Sequence, residues 1–467
     1  METPCVKYHI QNRTPIKAYA IEFALHALGY RAEQASFEGC SLCYGNRQRA
    51  GVICIPDAPE HGPLWREALD PDFDCGPILP FDIVNAIAML LADAVNRYDG
   101  STNGASKPRL YDPHDRLVYT SSWQSENGCG DIPVVNAYVL ALGKVILRQI
   151  PGTPLPLWPQ GKVAAIGLSH DVDRLDAWSE VKGCSQRPGL AYLLDAARSL
   201  VRNTIRRHDD LELFRDVIRY ESDLGFRSTF MFASRNRYSE YGDSHDVAYD
   251  ISCRKMRPLF EFIQSSGFEI GLHSSYNARE DASRFLSERQ RLEELTGATV
   301  AGQRHHFWHT SRLAEATLRQ HEEAGFTYDS SIAFNDHLGF RRNVALPYYP
   351  WLPERNAAVT VMELPVFCMD GNVFSRPGQT GADQADRICA LAKTLKRYRG
   401  VGVVDWHSDT SNPETPGYRA WGACYFAVLR AFADDSSLWV ANLGELATWI
   451  QQRQSKLENR QDAVRAG

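Results

Sequence analysis

The sequence predicts an α/β protein in which a parallel (β/α) barrel follows a smaller α/β domain. The chain has 467 residues, a length that favours two domains over one. After residue 160, short apolar runs alternate with amphipathic stretches of helical length, which is typical of parallel βα units. About seven such units follow one another, and this number favours a barrel over an open sheet.

A proline-rich segment separates the two predicted domains. Residues 151–159 contain four prolines. Proline lacks a backbone donor and fixes φ, so a helix or an inner strand is excluded there. We therefore predict an accessory α/β domain at 1–150, a linker at 151–160, the barrel at 161–452 and a polar tail at 453–467.

Three stretches of the first domain have the apolar spacing of helices, namely Ile16–Leu28, Phe81–Tyr98 and Pro133–Ile150. Asp82 can cap the second of these helices, and Pro133 suits a first helical turn. Short strands are expected in the remainder of the first 60 residues. No group of residues typical of a catalytic site is found in this domain.

The barrel elements follow from composition and spacing. Short apolar runs bounded by polar residues predict strands at Val163–Leu168, Arg227–Ala233, Phe268–Leu272, Thr299–Gln303, Thr327–Tyr328, Val359–Leu364, Gly402–Asp405 and Leu438–Ala441. Amphipathic spacing predicts helices at Leu211–Leu224, Met256–Ser265, Asp281–Leu295, Ser311–Ala324, Ala382–Tyr398, Gly417–Phe432 and Leu443–Gln452.

Composition limits the partners. The formal net charge is −6, and basic residues do not cluster with aromatic ones, so a nucleic-acid partner is not expected. The N-terminus lacks the pattern of a secretion signal, and no apolar run is long enough for a transmembrane helix. We therefore expect a cytoplasmic protein. Its 11 cysteines are an odd number and are expected to be reduced thiols. The oligomeric state stays open.

Polar residues follow the first and third predicted barrel strands. Asp171 and Asp173 are two residues apart at a strand end, so they share one face and require a cation between or beside them, either a metal ion or an arginine. His273 ends the third strand, and Asn277 lies four residues later, where one helical turn would bring both side chains to a shared metal. Each pattern alone also occurs in ordinary turns and caps.

Two later strand ends also carry polar groups. Arg304 follows the fourth strand and can hold a carboxylate in place. It precedes a histidine-rich stretch that begins with His305 and His306. At most one or two histidines of this stretch can face the pocket. His407 follows another strand and is well placed as a general acid or base. Because active sites form where parallel barrel strands end, four polar strand ends together predict an active site there.

The order of these motifs resembles the polysaccharide deacetylases of carbohydrate esterase family 4, which have a NodB-like domain. The resemblance covers roughly residues 160–450 and is nearest to the branch with Asp-Val-Asp as its first motif. It implies a distorted (β/α) barrel of about seven strands. The second motif departs from the family pattern, because Asn277 stands where a metal-binding histidine is expected.

The resemblance also implies roles for single residues. Asp171 would be the general base and Arg304 would steady it, while His407 would be the general acid. Asp173 and His273 would bind a divalent metal, with zinc as the expected ion. The third ligand would be Asn277, although His305 or His306 could supply it instead.

This mechanism implies hydrolysis of an amide bond, with an N-acetylated sugar or a sugar conjugate as the expected substrate. Asp405 is the expected partner of the His407 ring, with Asp409 as the alternative. The stretch Glu363–Asp370 also resembles a strand common in this branch, and the role of Asp370 stays open. Two other hypotheses stay open: a decayed, glycan-binding module, suggested by Asn277, and an amidase or deformylase of the same fold. The aromatic residues of the segment Phe334–Trp351 could stack against a sugar or pack as a lid.

Overall fold

The computed structural model of the protein describes residues 3–76, 78–97, 109–175, 212–254, 256–375, 379–415 and 417–458. The strands of this part of the chain are β1 Cys5–Ile10, β2 Arg31–Gln34, β3 Leu42–Tyr44, β4 Ile53–Ile55, β5 Ala164–Val172, β6 Thr229–Phe232, β7 Glu269–Ser274, β8 Gly302–His305, β9 Tyr328–Asp329, β10 Trp351–Leu352, β11 Ala357–Ala358, β12 Met362–Glu363, β13 Val366–Met369, β14 Val401–Asp405 and β15 Leu438–Ala441. The α-helices are α1 Pro15–Leu28, α2 Ile83–Leu91, α3 Trp123–Glu126, α4 Val134–Gln149, α5 Glu212–Asp223, α6 Met256–Ser265, α7 Ala282–Thr296, α8 Glu315–Glu323, α9 Asp370–Val373, α10 Gly381–Arg397, α11 Arg419–Ala433 and α12 Leu443–Leu457.

The second half of the chain forms a curled sheet in which all strand pairs are parallel. Its strands are ordered β12-β9-β8-β7-β6-β5-β14-β13, and β15 also pairs with β5. The two outer strands of this order, β12 and β13, are joined by only two residues, Leu364 and Pro365. One extended segment thus pairs with β9 at its start and with β14 at its end. This segment closes the sheet, which confirms the predicted seven-stranded (β/α) barrel.

Strand alternation separates the inside of the barrel from its outside. Ala165 and Val403 belong to a central cluster that also contains Tyr328 and residues of α12. Ile166 and Leu168 instead pack with α10 and α11. A side chain at Gly302 would collide with the Tyr328 ring, since a Cβ there would lie 1.9 Å from it. Glycine is therefore required at this point of β8.

The predicted barrel elements agree with the structure in position. Each predicted strand overlaps an observed one, and β13 lies within the strand-like stretch Glu363–Asp370. The last helix continues to Leu457, beyond the predicted end of the barrel at residue 452. In the described residues, no helix is both long and apolar enough to cross a membrane.

The first half of the chain forms a smaller parallel sheet in the order β2-β1-β3-β4. Helices α1, α2 and α4 pack with this sheet in one core cluster. The second helix is shorter than the predicted Phe81–Tyr98, since Asp93 adopts a left-handed conformation with φ 51° just after it. Residues 98–108 lie outside the described part of the chain.

The aromatic residues of the segment Phe334–Trp351 are mostly buried, and several of them join the two halves. Tyr348 belongs to the core cluster of the first half, and the Trp351 ring lies 5.5 Å from that of Tyr19. The amide group of Asn136 makes two hydrogen bonds with the backbone of Ala345, at 2.9 and 3.1 Å. The stacking role predicted for these aromatic rings is therefore wrong, and they pack between the two domains.

A buried ion pair strengthens the same junction. Arg341 donates from Nη1 and Nη2 to the two carboxylate oxygens of Asp93, at 2.9 and 2.8 Å. Burial alone would raise the pKa of Asp93, but Arg341 and Arg342 outweigh it and lower the pKa. Both partners of the pair are almost completely buried. Loss of one charge would leave the other without compensation in a medium of low dielectric constant.

We expect Asp93→Asn to destabilise the junction of the two halves. Asparagine keeps the shape of the side chain and tolerates the left-handed backbone, but it leaves the Arg341 charge unpaired, at a cost of about 3–5 kcal/mol. Urea denaturation followed by tryptophan fluorescence measures the change. The control is Glu261→Gln, which breaks an exposed pair with Arg257 and should cost less than about 1 kcal/mol. Equal denaturation midpoints for the two variants would contradict a stabilising role of the buried pair.

Candidate active site and metal centre

A buried arginine lies at the ends of the barrel strands. The Arg304 side chain is fully buried, and its Nη1 donates to Asp171 Oδ1 at 2.8 Å. Its Nη2 donates to the Ser169 hydroxyl at 2.9 Å, and its Nε donates to the carbonyl oxygen of Ser330 at 2.9 Å. Ser169 and Asp171 are two residues apart on β5, so the alternation of the strand delivers both to the same cation.

Two carboxyl groups beside Arg304 differ in protonation. Arg304 Nη1 lies 2.8 Å from Asp405 Oδ1 as well as from Asp171 Oδ1. Burial alone would raise the pKa of Asp171, but the charges of His273, Arg304 and His407 outweigh it and lower the pKa. Burial raises the pKa of Asp405 well above its usual range in spite of Arg304. The opposite directions favour ionisation of Asp171 over ionisation of Asp405.

Three potential metal ligands meet next to Asp171. The side chains of Asp173, His273 and His306 place their ligand atoms within 4.8 Å of one another. The Nε2 atoms of both histidines lie 3.4 Å from Asp173 Oδ1. Among the described residues, this is the one cluster of three or more such groups. Each ligand lies at or just after the end of a barrel strand, β5, β7 or β8.

A hydrogen bond orients His273, and a buried carboxylate faces His306. His273 Nδ1 lies 3.0 Å from the carbonyl oxygen of Arg304; it donates its proton there and leaves the Nε2 lone pair for a metal. His306 Nδ1 faces Asp246 Oδ1 at 3.7 Å. Asp246 is itself buried and accepts hydrogen bonds from the backbone of Tyr276 and Asp243, both at 2.8 Å. A carboxylate behind a histidine is the usual arrangement around protein-bound zinc.

The cluster fits a divalent cation. Asp173 Oδ1 is buried and accepts no hydrogen bond of normal geometry, although burial of an unpaired carboxylate oxygen is costly. Burial would also raise the pKa of Asp173, but His306, His273 and His407 outweigh it and keep the pKa well below its usual range. Two imidazole nitrogens and one carboxylate oxygen are a ligand set of catalytic zinc sites, which keep a further position open.

His407 faces the cluster from the end of β14. Its Nε2 lies 3.5 Å from Asp173 Oδ2, and its Nδ1 lies 2.9 Å from Asp370 Oδ1. The second oxygen of Asp370 accepts from the His407 backbone N–H at 3.0 Å and from the Thr410 hydroxyl. Burial alone would lower the pKa of His407, but Asp370 and Asp173 outweigh it and raise the pKa well above its usual value. These two carboxylates therefore favour the protonated form of the ring.

The partner of His407 differs from the sequence prediction. Asp405 was expected to hold the ring, but it faces Arg304 on the inside of the barrel. The alternative, Asp409, pairs with Arg174 at 3.1 Å. Asp370 takes this role instead, because it follows β13 directly, and β13 lies beside β14 in the sheet. The sequence indicates a strand that ends in Asp370, but not that this strand lies beside β14.

The third ligand also differs from the first choice. Asn277 lies in a 3-10 turn, is exposed, and donates from its side chain to Asp243 at 3.2 Å. His306 occupies the site instead, while His305 is buried against Phe285. Alternation along β8 contains this signal, since Arg304 and His306 are two residues apart and face the same side, whereas His305 faces the other. The metal role predicted for Asn277 is therefore not supported by its position.

A cavity of about 310 Å³ opens onto the site. Asp171, Asp173, His273, His306 and His407 all line it. The remaining lining residues are Arg116, Phe307, Trp308, Asn335 and Met369. Sequence analysis did not identify Arg116, which belongs to the first half of the chain, because nothing in its sequence context indicates that it reaches the barrel.

Comparison with known proteins gives fold-level similarity only. No family model and no curated protein matches the chain. Among solved structures, the chain is similar to a putative polysaccharide deacetylase from Mycobacterium smegmatis, with 17% identity, a TM-score of 0.42, and coverage of 65% of this chain and 95% of the other. It is similar to Puue allantoinase, with 15% identity, a TM-score of 0.41, and coverage of 64% and 93%. It is also similar to a probable polysaccharide deacetylase from Pseudomonas aeruginosa PAO1, with 15% identity, a TM-score of 0.42, and coverage of 66% and 97%.

We expect His306→Ala to abolish tight zinc binding and Asn277→Ala to leave it unchanged. The first change removes a nitrogen from the cluster, whereas the second removes an exposed amide outside it. Asp246→Asn should weaken binding by about 10- to 100-fold, because it removes the carboxylate behind His306. Zinc titration of chelator-treated protein by calorimetry measures all three affinities. Weaker binding in Asn277→Ala than in His306→Ala would restore Asn277 as the ligand.

Proposed function

We propose that this protein is a metal-dependent hydrolase of amide carbon–nitrogen bonds, and that its substrate is an N-acetylated sugar or glycan precursor. The proposal is carried by one observation: the Asp173–His273–His306 cluster lies between a carboxylate held by Arg304 and an imidazolium held by Asp370. A base, a cation site and an acid around one cavity are the groups that amide hydrolysis requires.

The cation would be held by Asp173, His273 and His306. When bound, a divalent ion supplies Lewis acidity, which acidifies water and polarises a carbonyl group. Zinc suits the two nitrogens and one oxygen of this ligand set. The other steps depend on the side chains of the protein.

Asp171 would act as the general base. Its pKa is lowered, so it is ionised at neutral pH, and Arg304 and the barrel wall fix its position. It takes one proton from the attacking water as the water oxygen bonds to the acyl carbon. This assignment accounts for the burial of Arg304, whose charge keeps the base ionised without providing it with a proton.

His407 would act as the general acid. An amine leaves poorly as its anion, so the nitrogen must receive a proton as the carbon–nitrogen bond breaks. The imidazolium gives up the proton from Nε2, while Asp370 holds Nδ1. The products are a carboxylic acid and an amine, and the proton taken by Asp171 balances the proton given by His407.

The alternative hypothesis of a decayed, glycan-binding module was suggested by Asn277 as a poor substitute for a histidine ligand. The position of His306 in the cluster offers a nitrogen in its place, and this supports the proposal of an active enzyme. An amidase or deformylase would use the same groups in the same way, and only the substrate separates it from a deacetylase.

An assay of acetate release tests the proposed function. Zinc-loaded protein should release acetate from at least one of a set of N-acetylated sugars and their nucleotide conjugates. Asp171→Asn should lower kcat by about 10²- to 10⁴-fold, as expected for loss of a general base, and should retain zinc. The matched control is Asn277→Ala, with activity close to wild type. Turnover that is unaffected by a chelator would disprove metal dependence.

The pH profile tests the role of Asp370. Asp370 raises the pKa of His407, and the acid is active only while protonated, so activity falls as pH rises through this pKa. Asp370→Asn should lower the pKa and shift the alkaline limb of kcat to lower pH, and it should also lower kcat at the optimum. Thr410→Val, which removes only a hydroxyl bound to Asp370, should shift the limb less. An unchanged alkaline limb in Asp370→Asn would exclude His407 as the acid.

A further inference from the structure

A loop of the first half of the chain lies over the mouth of the barrel. We call residues 109–118 the strap. His114 Nδ1 of the strap lies 2.8 Å from the Tyr276 hydroxyl. Asp115 forms ion pairs with Arg279 at 2.7 Å and with Arg312 at 3.0 Å. These contacts attach the strap to barrel loops that follow β7 and β8.

The strap carries Arg116 into the cavity. Arg116 Nε donates to Asp112 Oδ2 at 2.8 Å, and its Nη1 donates to the Phe307 carbonyl oxygen at 2.9 Å. Its Nη2 makes no hydrogen bond to any residue of the described chain. The side chain is only 13% exposed, and it lines the same cavity as the metal cluster and His407. The guanidinium is thus fixed on two sides and has a free edge toward the substrate space.

We propose that Arg116 determines specificity by binding an anionic group of the substrate, either a carboxylate or a phosphate. The inference rests on the proposed function and names a substrate class for the same cavity. A guanidinium keeps its charge at any physiological pH, and its hydrogen bonds to carboxylate or phosphate oxygens are about twice as strong as neutral ones. Low exposure strengthens such a bond further, because little water competes for it.

Charge in the cavity supports an anionic ligand. Asp171 and Asp173 face the cation site, and Arg304 is used by Asp171 and Asp405. Asp112 orients Arg116 through Nε, but no second carboxylate is paired with it among the described residues. A neutral sugar would offer only hydroxyl groups to the free edge of the Arg116 guanidinium. An anionic group would instead form an ion pair with it.

Arg116 also makes a structural contact, and the test must distinguish its effect from that of substrate binding. Its bond to the Phe307 carbonyl lies next to His306, and Phe307 adopts a left-handed conformation with φ 60°. Such a backbone costs free energy in a bulky residue and must be held by its surroundings. Loss of Arg116 could therefore displace His306 and weaken the metal site without any contact between Arg116 and substrate.

The experiment compares full-length, zinc-loaded variants on three probes: N-acetylglucosamine, N-acetylglucosamine 1-phosphate and N-acetylmuramic acid. They are neutral, phosphorylated and carboxylated. Wild type should prefer at least one anionic probe in kcat/KM. Arg116→Gln should raise KM for that probe by about 10- to 100-fold, with kcat and zinc content retained and the neutral probe little affected. Arg116→Lys should retain part of the preference. Arg312→Gln, which removes an exposed partner of the same strap, is the matched control and should behave as wild type.

Two results would overturn the inference. The first is equal loss on neutral and anionic probes together with loss of zinc, which would make Arg116 only a support of Phe307 and His306. The second is a wild type without preference for either anion. If wild type hydrolyses no probe, the proposed function fails separately, and calorimetric binding of the same probes to wild type and Arg116→Gln decides: an affinity for an anionic probe that depends on Arg116 supports the inference, and equal affinities overturn it.

Discussion

The burial of Arg304 is the constraint on which the site depends. A guanidinium withdrawn from water costs several kcal/mol unless its donors are used. Four of the five N–H donors of Arg304 bond to Asp171, Ser169 and Ser330, and Asp405 Oδ1 lies 2.8 Å from Nη1. The same residue acts through its backbone, because its carbonyl oxygen receives the Nδ1 proton of His273. One position of β8 thus fixes both the ionisation of Asp171, the proposed base, and the tautomer of His273, a proposed metal ligand.

The parts of the site that the sequence predicts are those that strand alternation determines. Asp171, Asp173, His273, Arg304 and His407 all lie at strand ends of the barrel, so a period of two and the rule that sites form where parallel strands end bring them together. The fold class follows from the same regularity. His306, the candidate third ligand, follows the same alternation, since it lies two residues after Arg304. The helical spacing from His273 to Asn277 is a weaker indication of a metal ligand.

The parts that the sequence does not predict depend on long-range packing. The sequence indicates the strand that ends in Asp370 but not the role of this residue. Helix α10 and strand β14 separate it from His407 along the chain, and only the pairing of β13 with β14 makes the two residues neighbours. Arg116 lies in an irregular loop, where no period indicates the direction of a side chain. The aromatic residues of Phe334–Trp351 suggest a sugar-binding surface from sequence alone. A buried segment between domains and a ligand-binding loop can both be rich in aromatic residues, so composition does not distinguish them.

The first half of the chain contributes to the structure of the barrel and of its cavity through the junction between the two halves. The chain leaves the barrel after β9, passes through the core of the first half at Tyr348, and returns at β12 to close the sheet. The strap extends from the first half to the mouth of the barrel and places Arg116 in the same cavity as the metal cluster. The segment that closes the barrel is anchored in the core of the first half. A change in the packing of that core would therefore displace β12 and, through β13, Asp370. The geometry of His407 is therefore coupled to the packing of the domain that supplies Arg116.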